Sequence, residues 1–158
     1  MTLAWRIATD TPAYTADDLS GAGAQVTGGR WNRKGTPMVY AASSRALACL
    51  ETIVHLNAGG LPLNRYLVEI EIPEHLMQSA RRFDSRGHVG WDAIPEGRVS
   101  LDAGEAWARD GASAVMLVPS VIVPEELNLL INPKHADAGL IRARKIRKWT
   151  YDSRVWRP

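Results

Sequence analysis

Glycine and proline cut this chain before any element can grow long. Glycines cluster at 21–35, 59–60, 87–90 and 97–111, and Pro73, Pro119 and Pro124 fall directly after apolar stretches. Glycine releases the backbone from helical and extended wells, and proline removes a hydrogen-bond donor. A chain punctuated in this way builds its core from short helices and short strands. The 158 residues suit one domain, and the 46% hydrophobic and 23% charged content is that of a globular chain. The glycines sit between elements, and no repeat, low-complexity tract or linker divides them. The expectation is a single domain spanning 1–158.

Between the breaks, the patterning marks individual elements. Residues 37–42 read as a short buried strand. Ser43 or Ser44 caps a helix running to about Leu56, with Ala46, Leu47, Leu50, Ile53 and Val54 at helical spacing. Asn57-Ala58-Gly59-Gly60 then stops it. Residues 65–72 alternate, with Tyr66, Val68, Ile70 and Ile72 on one face of a strand. Pro73 ends that strand before a helical turn at 74–78. A short helix covers 102–110, closed by Gly111. The apolar run 113–118 suits a central strand, and 121–123, 128–131 and 140–149 read as further strands. Helices and strands are mixed without regular βαβ alternation, which predicts an α+β fold.

Charge and cysteine content exclude several classes. Cys49 is the single cysteine, so there is no internal disulfide, and with four scattered histidines a Cys-rich zinc site is excluded. No apolar run approaches the ~20 residues that span a bilayer. The N-terminal residues lack the basic-then-apolar pattern of a secretion signal, so the expected location is cytoplasmic. The net charge of +2 is unevenly spread. Residues 140–158 carry Arg142, Arg144, Lys145, Arg147, Lys148, Arg154 and Arg157 against Asp152 alone, a segment charge of +6. Two readings stand: a solvated edge strand protected by charge, or a docking surface for an acidic partner. DNA binding is disfavoured, because no recognition helix accompanies the basic segment.

Candidate chemistry concentrates in two places. Gly28-Gly29-Arg30-Trp31-Asn32-Arg33-Lys34-Gly35 combines close-approach glycines, an Arg fork suited to phosphate or carboxylate, and a flat aromatic. It lacks the strand–turn–helix spacing of the nucleotide-loop motifs, and a hairpin with a surface Arg is the plain alternative. Glu51 sits within an otherwise apolar helical run, where burial is costly unless the carboxylate is paired. It either lies at the solvent edge of the stripe or points into a cleft, held by Arg30 or Tyr40. His55 follows one turn later, as a possible imidazole partner or as decoration of a helix C-terminus. Ser120 stands at a strand end, as a functional polar group or a turn serine. His135 is either structural or within reach of the site. Cys49 reads as a buried small hydrophobe, and His75 and His88 as turn residues.

Taken together, Gly28-Gly29-Arg30-Trp31-Asn32, Gly35, Val39-Tyr40-Ala41-Ala42-Ser43, Ala46-Leu47-Ala48-Cys49-Leu50-Glu51 and Val54-His55 resemble the RES domain. The resemblance continues through Val118-Pro119-Ser120, Val123-Pro124 and Asn128 to His135. It covers about residues 5–135 and leaves the basic segment 140–158 outside; Ala136 stands where members often have Pro. The resemblance implies an α+β fold with a mixed or antiparallel split sheet like that of ADP-ribosyltransferases. It also implies the toxin of a RES–Xre type II toxin–antitoxin module that consumes NAD. The implied residues are Glu51, Arg30 and Tyr40 for catalysis, and Arg30, Tyr40 and Ser120 for NAD binding. Arg6 and Asn132 are expected to line the same cleft, with no metal. Implied partners are an Xre-type helix-turn-helix antitoxin and, for some members, a nucleotide-biosynthesis enzyme as ADP-ribose acceptor. Neither nucleic acid nor a membrane is an expected direct partner. The competing expectation is a non-catalytic nucleotide- or partner-binding module.

Overall fold

The computed structural model describes residues 1–56 and 59–156. Seven strands form one sheet: β1 (Thr2–Ala8), β2 (Val39–Ala42), β3 (Tyr66–Ile72), β4 (Arg81–Arg82), β5 (Val115–Pro119), β6 (Leu127–Ile131) and β7 (Arg142–Lys148). Their order is β4-β5-β6-β2-β1-β3-β7, with β4–β5 parallel and all other pairs antiparallel. Among the described residues four α-helices accompany the sheet: α1 (Ala22–Thr27), α2 (Arg45–Ile53), α3 (Glu74–Gln78) and α4 (Arg98–Asp110). This is the α+β architecture that the broken patterning predicts.

Side-chain alternation gives the sheet two apolar faces. Val39, Ala41, Val68, Ile70, Val115 and Leu129 belong to one cluster. Met38, Met116, Val118 and Leu130 pack with Trp31, Trp91 and Trp107 on the other. Each fully buried aliphatic side chain is worth about 1.5–3 kcal/mol of transfer free energy, so the central strands dominate stability. Trp107 on α4 is buried, and its Nε1 donates to Ser113 Oγ at 2.9 Å, which satisfies the indole.

Several boundaries differ from the sequence reading for physical reasons. Residues 121–123 are not a strand. The Ser120 hydroxyl accepts from the Ile122 and Val123 amides, both at 3.1 Å, capturing donors that a ladder would have used. β1 is an interior strand of the sheet, between β2 and β3, and its apolar pattern is weak because the inward positions Ala4 and Ala8 are small. α2 starts where Ser44 Oγ accepts from Leu47 N at 3.1 Å, and ends at Ile53. Asn57 and Ala58 of the expected helix stop, and Arg157 of the basic tail, lie outside the described residues. α4 begins four residues before the expected 102, at Arg98. α1 forms inside the first glycine cluster. The expected 140–149 strand is observed as β7 at Arg142–Lys148, its first expected residue, Leu140, instead ending a 3₁₀ turn at Ala138–Leu140.

Two features of the sheet place the site. β1 and β2 share one register pair, Trp5 with Ala42, and separate beyond it. The sheet is therefore split at Arg6–Ala8 on one side and Met38–Tyr40 on the other. β2 leads through Ser43 and Ser44 directly into α2, so Tyr40 and Glu51 are held by consecutive elements.

Candidate active site

The 28–36 loop is built around a buried asparagine. Asn32 is fully buried; its Nδ2 donates to Ala24 O, Arg33 O and Thr36 O at 2.8–3.2 Å. Its Oδ1 accepts from the Tyr40 hydroxyl at 2.6 Å, and that hydroxyl accepts from Trp31 N at 3.0 Å. Burial pushes the Tyr40 phenol well above its ordinary range, so it stays protonated and can donate. The loop closes tightly enough that a Cβ on Gly29 would stand 2.7 Å from the Tyr40 oxygen. Glu105 of α4 holds the other side, accepting from Arg33 N at 2.6 Å and Thr36 Oγ1 at 2.8 Å. Arg33 pairs with Asp102 at 2.6 Å. In place of the plain hairpin alternative, the segment is a loop latched onto β2 and α4. Asn32 is the residue that sequence reading quoted only as part of a motif.

Arg30 rides on that latch. Its Nη1 donates to Trp91 O at 3.1 Å and Ala93 O at 2.8 Å, which orients the guanidinium and, among the described residues, leaves Nε and Nη2 without a hydrogen bond. Trp91 stacks on Trp31 with ring centroids 6.3 Å apart, and Phe83 meets Trp31 edge-on at 4.8 Å.

Glu51 is partly buried, and Oε1 accepts two hydrogen bonds: from Ser120 Oγ and from Asn128 Nδ2, each at 2.7 Å. Hydrogen bonds to a charged group contribute about 1.5–3 kcal/mol each, enough to hold the carboxylate against partial desolvation. The sequence expectation that Arg30 or Tyr40 holds Glu51 is therefore corrected. Arg30 is committed to the Trp91–Ala93 carbonyls and Tyr40 to the loop. Nor does His55 bond to Glu51; it lies in the turn after α2. Glu51 nevertheless shares a sheet face with Tyr40. Asn128 is paired with Ala42 and Tyr40 with Leu130, so Asn128 and Tyr40 are diagonal neighbours on one face.

The split between β1 and β2 opens a cleft of about 230 Å³ whose lining includes Arg6, Tyr14, Asp18, Met38, Tyr40 and Arg65. Burial pulls the Arg6 guanidinium below the usual arginine range, and Asp18 and Tyr14 oppose that shift. An arginine stays charged under such shifts. Arg6 is part-buried, and among the described residues no ion pair forms with it, so the cleft offers an anion a positive charge that the Asp18 carboxylate offsets only in part.

Asn132 does not reach this cleft. Its Nδ2 donates to Ala108 O and its Oδ1 accepts from Lys134 N, both at 3.0 Å, so the side chain clasps β6 to α4. His135 is also local, its Nδ1 accepting from Asp137 N at 3.0 Å. Cys49 is partly buried rather than buried, with its thiol pushed up by desolvation. Asn128 is the site residue that sequence reading missed. Only its pairing with Ala42 puts it beside Glu51. Among the described residues no group of three or more His, Cys, Asp or Glu side chains could hold a metal ion.

The basic segment resolves into β7, the outer strand of the sheet, with mostly exposed side chains. Arg144 pairs with Glu69 at 2.9 Å and Lys145 with Asp10 at 2.7 Å. This is the charged edge strand that the patterning allowed.

Comparison with known proteins gives the family of the chain. A protein from Sphingobium sp. (strain YBL2) named "Prs ADP-ribosylating toxin" is 66% identical over 155 residues, covering 97% of this chain and 96% of its own. A "Toxin Res" from Pseudomonas putida is 35% identical over 154 residues, covering 96% of this chain and 98% of its own. A "Toxin Res" from Yersinia enterocolitica is 38% identical over 122 residues, covering 77% and 79%. The RES domain model matches residues 3–154, which takes in β7 and extends beyond the 5–135 span of the sequence motifs. With nearly the whole length matched by the family model and by a 66% identical relative, the chain belongs to the RES domain family.

Proposed function

We propose that this protein is a toxin enzyme that breaks the nicotinamide N-glycosidic bond of NAD and passes ADP-ribose to an acceptor. The observation that carries the reading is the Glu51 carboxylate, fixed through Oε1 and sharing a sheet face with Tyr40. Its second oxygen, Oε2, remains for substrate. When the C1′–N bond breaks, its electron pair leaves with nicotinamide and positive charge develops on the ribose. A fixed carboxylate stabilises that charge through a ribose hydroxyl, as carboxylates do in glycoside cleavage. Ser120 orients Glu51, and the acceptor loses its proton as it attacks C1′.

The remaining residues divide the substrate. A cleft of about 230 Å³ is below the roughly 300–1,000 Å³ of sites that enclose a drug-sized ligand. It therefore takes part of the dinucleotide, with Arg6 supplying charge for a phosphate. Arg30 offers Nε and Nη2 to the other phosphate or a ribose, and the Tyr40 ring packs against the ribose–nicotinamide end. The 66% identical relative is named for ADP-ribosylating Prs, which favours a protein acceptor here over water or phosphate. Silencing would come from a cognate Xre-type antitoxin covering the cleft, in a type II module. NAD consumption implies action in the cytoplasm.

The test is nicotinamide release from NAD by purified protein. Release by wild type, with Arg30→Ala and Glu51→Ala reduced at least ~100-fold, is expected. No release by wild type, equal release by the variants, or tight NAD binding without turnover overturns the reading. Labelled NAD in cell lysate separates the acceptors: one labelled protein band for transfer, free ADP-ribose for hydrolysis, ADP-ribose bearing an added phosphate for phosphorolysis. Adding the antitoxin should abolish release.

A further inference from the structure

We infer that Arg65 is a second phosphate-binding residue of the cleft, so that Arg6 and Arg65 take one phosphate each of the NAD diphosphate; the inference rests on the function proposed above. Both arginines line the cleft between β1 and β2, and both are part-buried, so their side chains face a space that ligand can enter. Among the described residues neither forms an ion pair. Asp18 is the one acid among the lining residues, so two arginines against one aspartate leave the cleft a net positive charge. A diphosphate diester carries one negative charge on each phosphate, which matches two separate cations better than one.

Arg65 is held in place without any ligand. Its Nη1 donates to Thr9 Oγ1 at 3.3 Å and to Asn64 O at 2.9 Å, and Thr9 Oγ1 donates to the same carbonyl at 2.9 Å. Asn64 Nδ2 donates to Asp10 O at 2.8 Å, which ties the segment after β1 to the segment before β3. The Arg65 carbonyl accepts from Trp149 N at 2.8 Å, just past the end of β7. One nitrogen of the guanidinium is thus spent on anchoring, while among the described residues Nε and Nη2 make no hydrogen bond. Those two nitrogens form the edge that grips a phosphate with two parallel bonds. An anchored fork loses little freedom on binding, so more of the contact energy appears as affinity. The β1–β3 register, Ala8 with Tyr66, puts Arg6 and Arg65 on the same side of the split, and Tyr40 stands across it on β2. With both phosphates on the β1–β3 side, a ribose remains as the group for Arg30.

The experiment measures ADP and AMP binding by calorimetry, beside NAD kinetics, for wild type, Arg65→Gln and Arg65→Lys. ADP and AMP differ by one phosphate, so their affinity ratio reports the second phosphate contact. Wild type should prefer ADP about 10-fold or more, and Arg65→Gln should bind the two within about threefold of each other. Arg65→Lys keeps the charge without the fork and should retain part of the preference. With NAD, Arg65→Gln should raise KM about 10–100-fold and leave kcat within about threefold, because a contact equal in ground and transition states is lost. Thermal unfolding reports folding separately, and glutamine can still donate to Asn64 O. A lower Tm with KM and the ADP-to-AMP ratio unchanged means that Arg65 only staples Thr9 to Asn64, and it overturns the inference. An unchanged ratio in Arg65→Gln overturns it whatever the KM, as does a wild type that binds ADP and AMP alike; the proposed function then stands on nicotinamide release. A wild type that shows the Arg65-dependent preference but releases no nicotinamide overturns the proposed function and leaves the diphosphate site standing.

Discussion

Glu51 accepts both of its hydrogen bonds on one oxygen, and the role proposed for it rests on the other oxygen. Glu51→Gln should keep the fold and lower nicotinamide release by at least ~100-fold, read by steady-state kinetics beside a melting curve. The amide lacks the negative charge that stabilises a developing cation. Tyr40 contrasts with it. Its hydroxyl joins Trp31 N to Asn32 Oδ1 inside the loop that carries Arg30. Tyr40→Phe strands both groups, so it should lower unfolding stability by about 1–3 kcal/mol in denaturant titration. KM for NAD should rise as Arg30 loses its fixed position.

Elements show how the latch is built. Gly104 lies inside α4, where replacement by Ala ordinarily gains about 1 kcal/mol. Here a Cβ would stand 1.8 Å from the Trp31 carbonyl oxygen, which is backbone and cannot turn aside. Steric exclusion wins over propensity, and Gly104→Ala should lower Tm and loosen the Arg30 loop together. On β7, the Lys145 ammonium and the Ala16 amide hold the Asp10 carboxyl below its ordinary 3.8. Asp10 in turn raises Lys145 above 10.5. A lowered acid stabilises above its unfolded pKa and loses that contribution as pH falls through the folded value. A raised amine stabilises below its unfolded pKa and loses it as pH rises through the folded value. The pair therefore acts between about pH 4 and 10. Tm measured against pH should fall below that window, and Asp10→Asn should flatten the acid limb. The effect should be small and weakened by salt, since the pair is at the surface.

The whole molecule is a sheet parted between β1 and β2, with Arg6 on one lip and Tyr40 on the other. Arg6 is a part-buried cation with no ion-pair partner among the described residues, so it contributes little to folding and favours an anionic ligand. Arg6→Met should therefore leave Tm equal or higher while raising KM for NAD at least about 10-fold, a separation of stability from function. A lower Tm with unchanged KM would contradict the assignment of Arg6 to substrate binding. The sequence by itself determined the α+β class, the short elements, the charged outer strand and the Arg30 and Glu51 segments. These follow from local chemistry: glycine and proline breaks, apolar spacing, and unusual polar residues inside apolar runs. Tertiary structure decided what touches what. Ser120 and Asn128 meet Glu51 across 69 and 77 residues of chain. Asn132 turns to α4, and the cleft exists because β1 and β2 pair once and then diverge. Strand register and order set those contacts, and they arise from packing between distant segments, which no local pattern encodes.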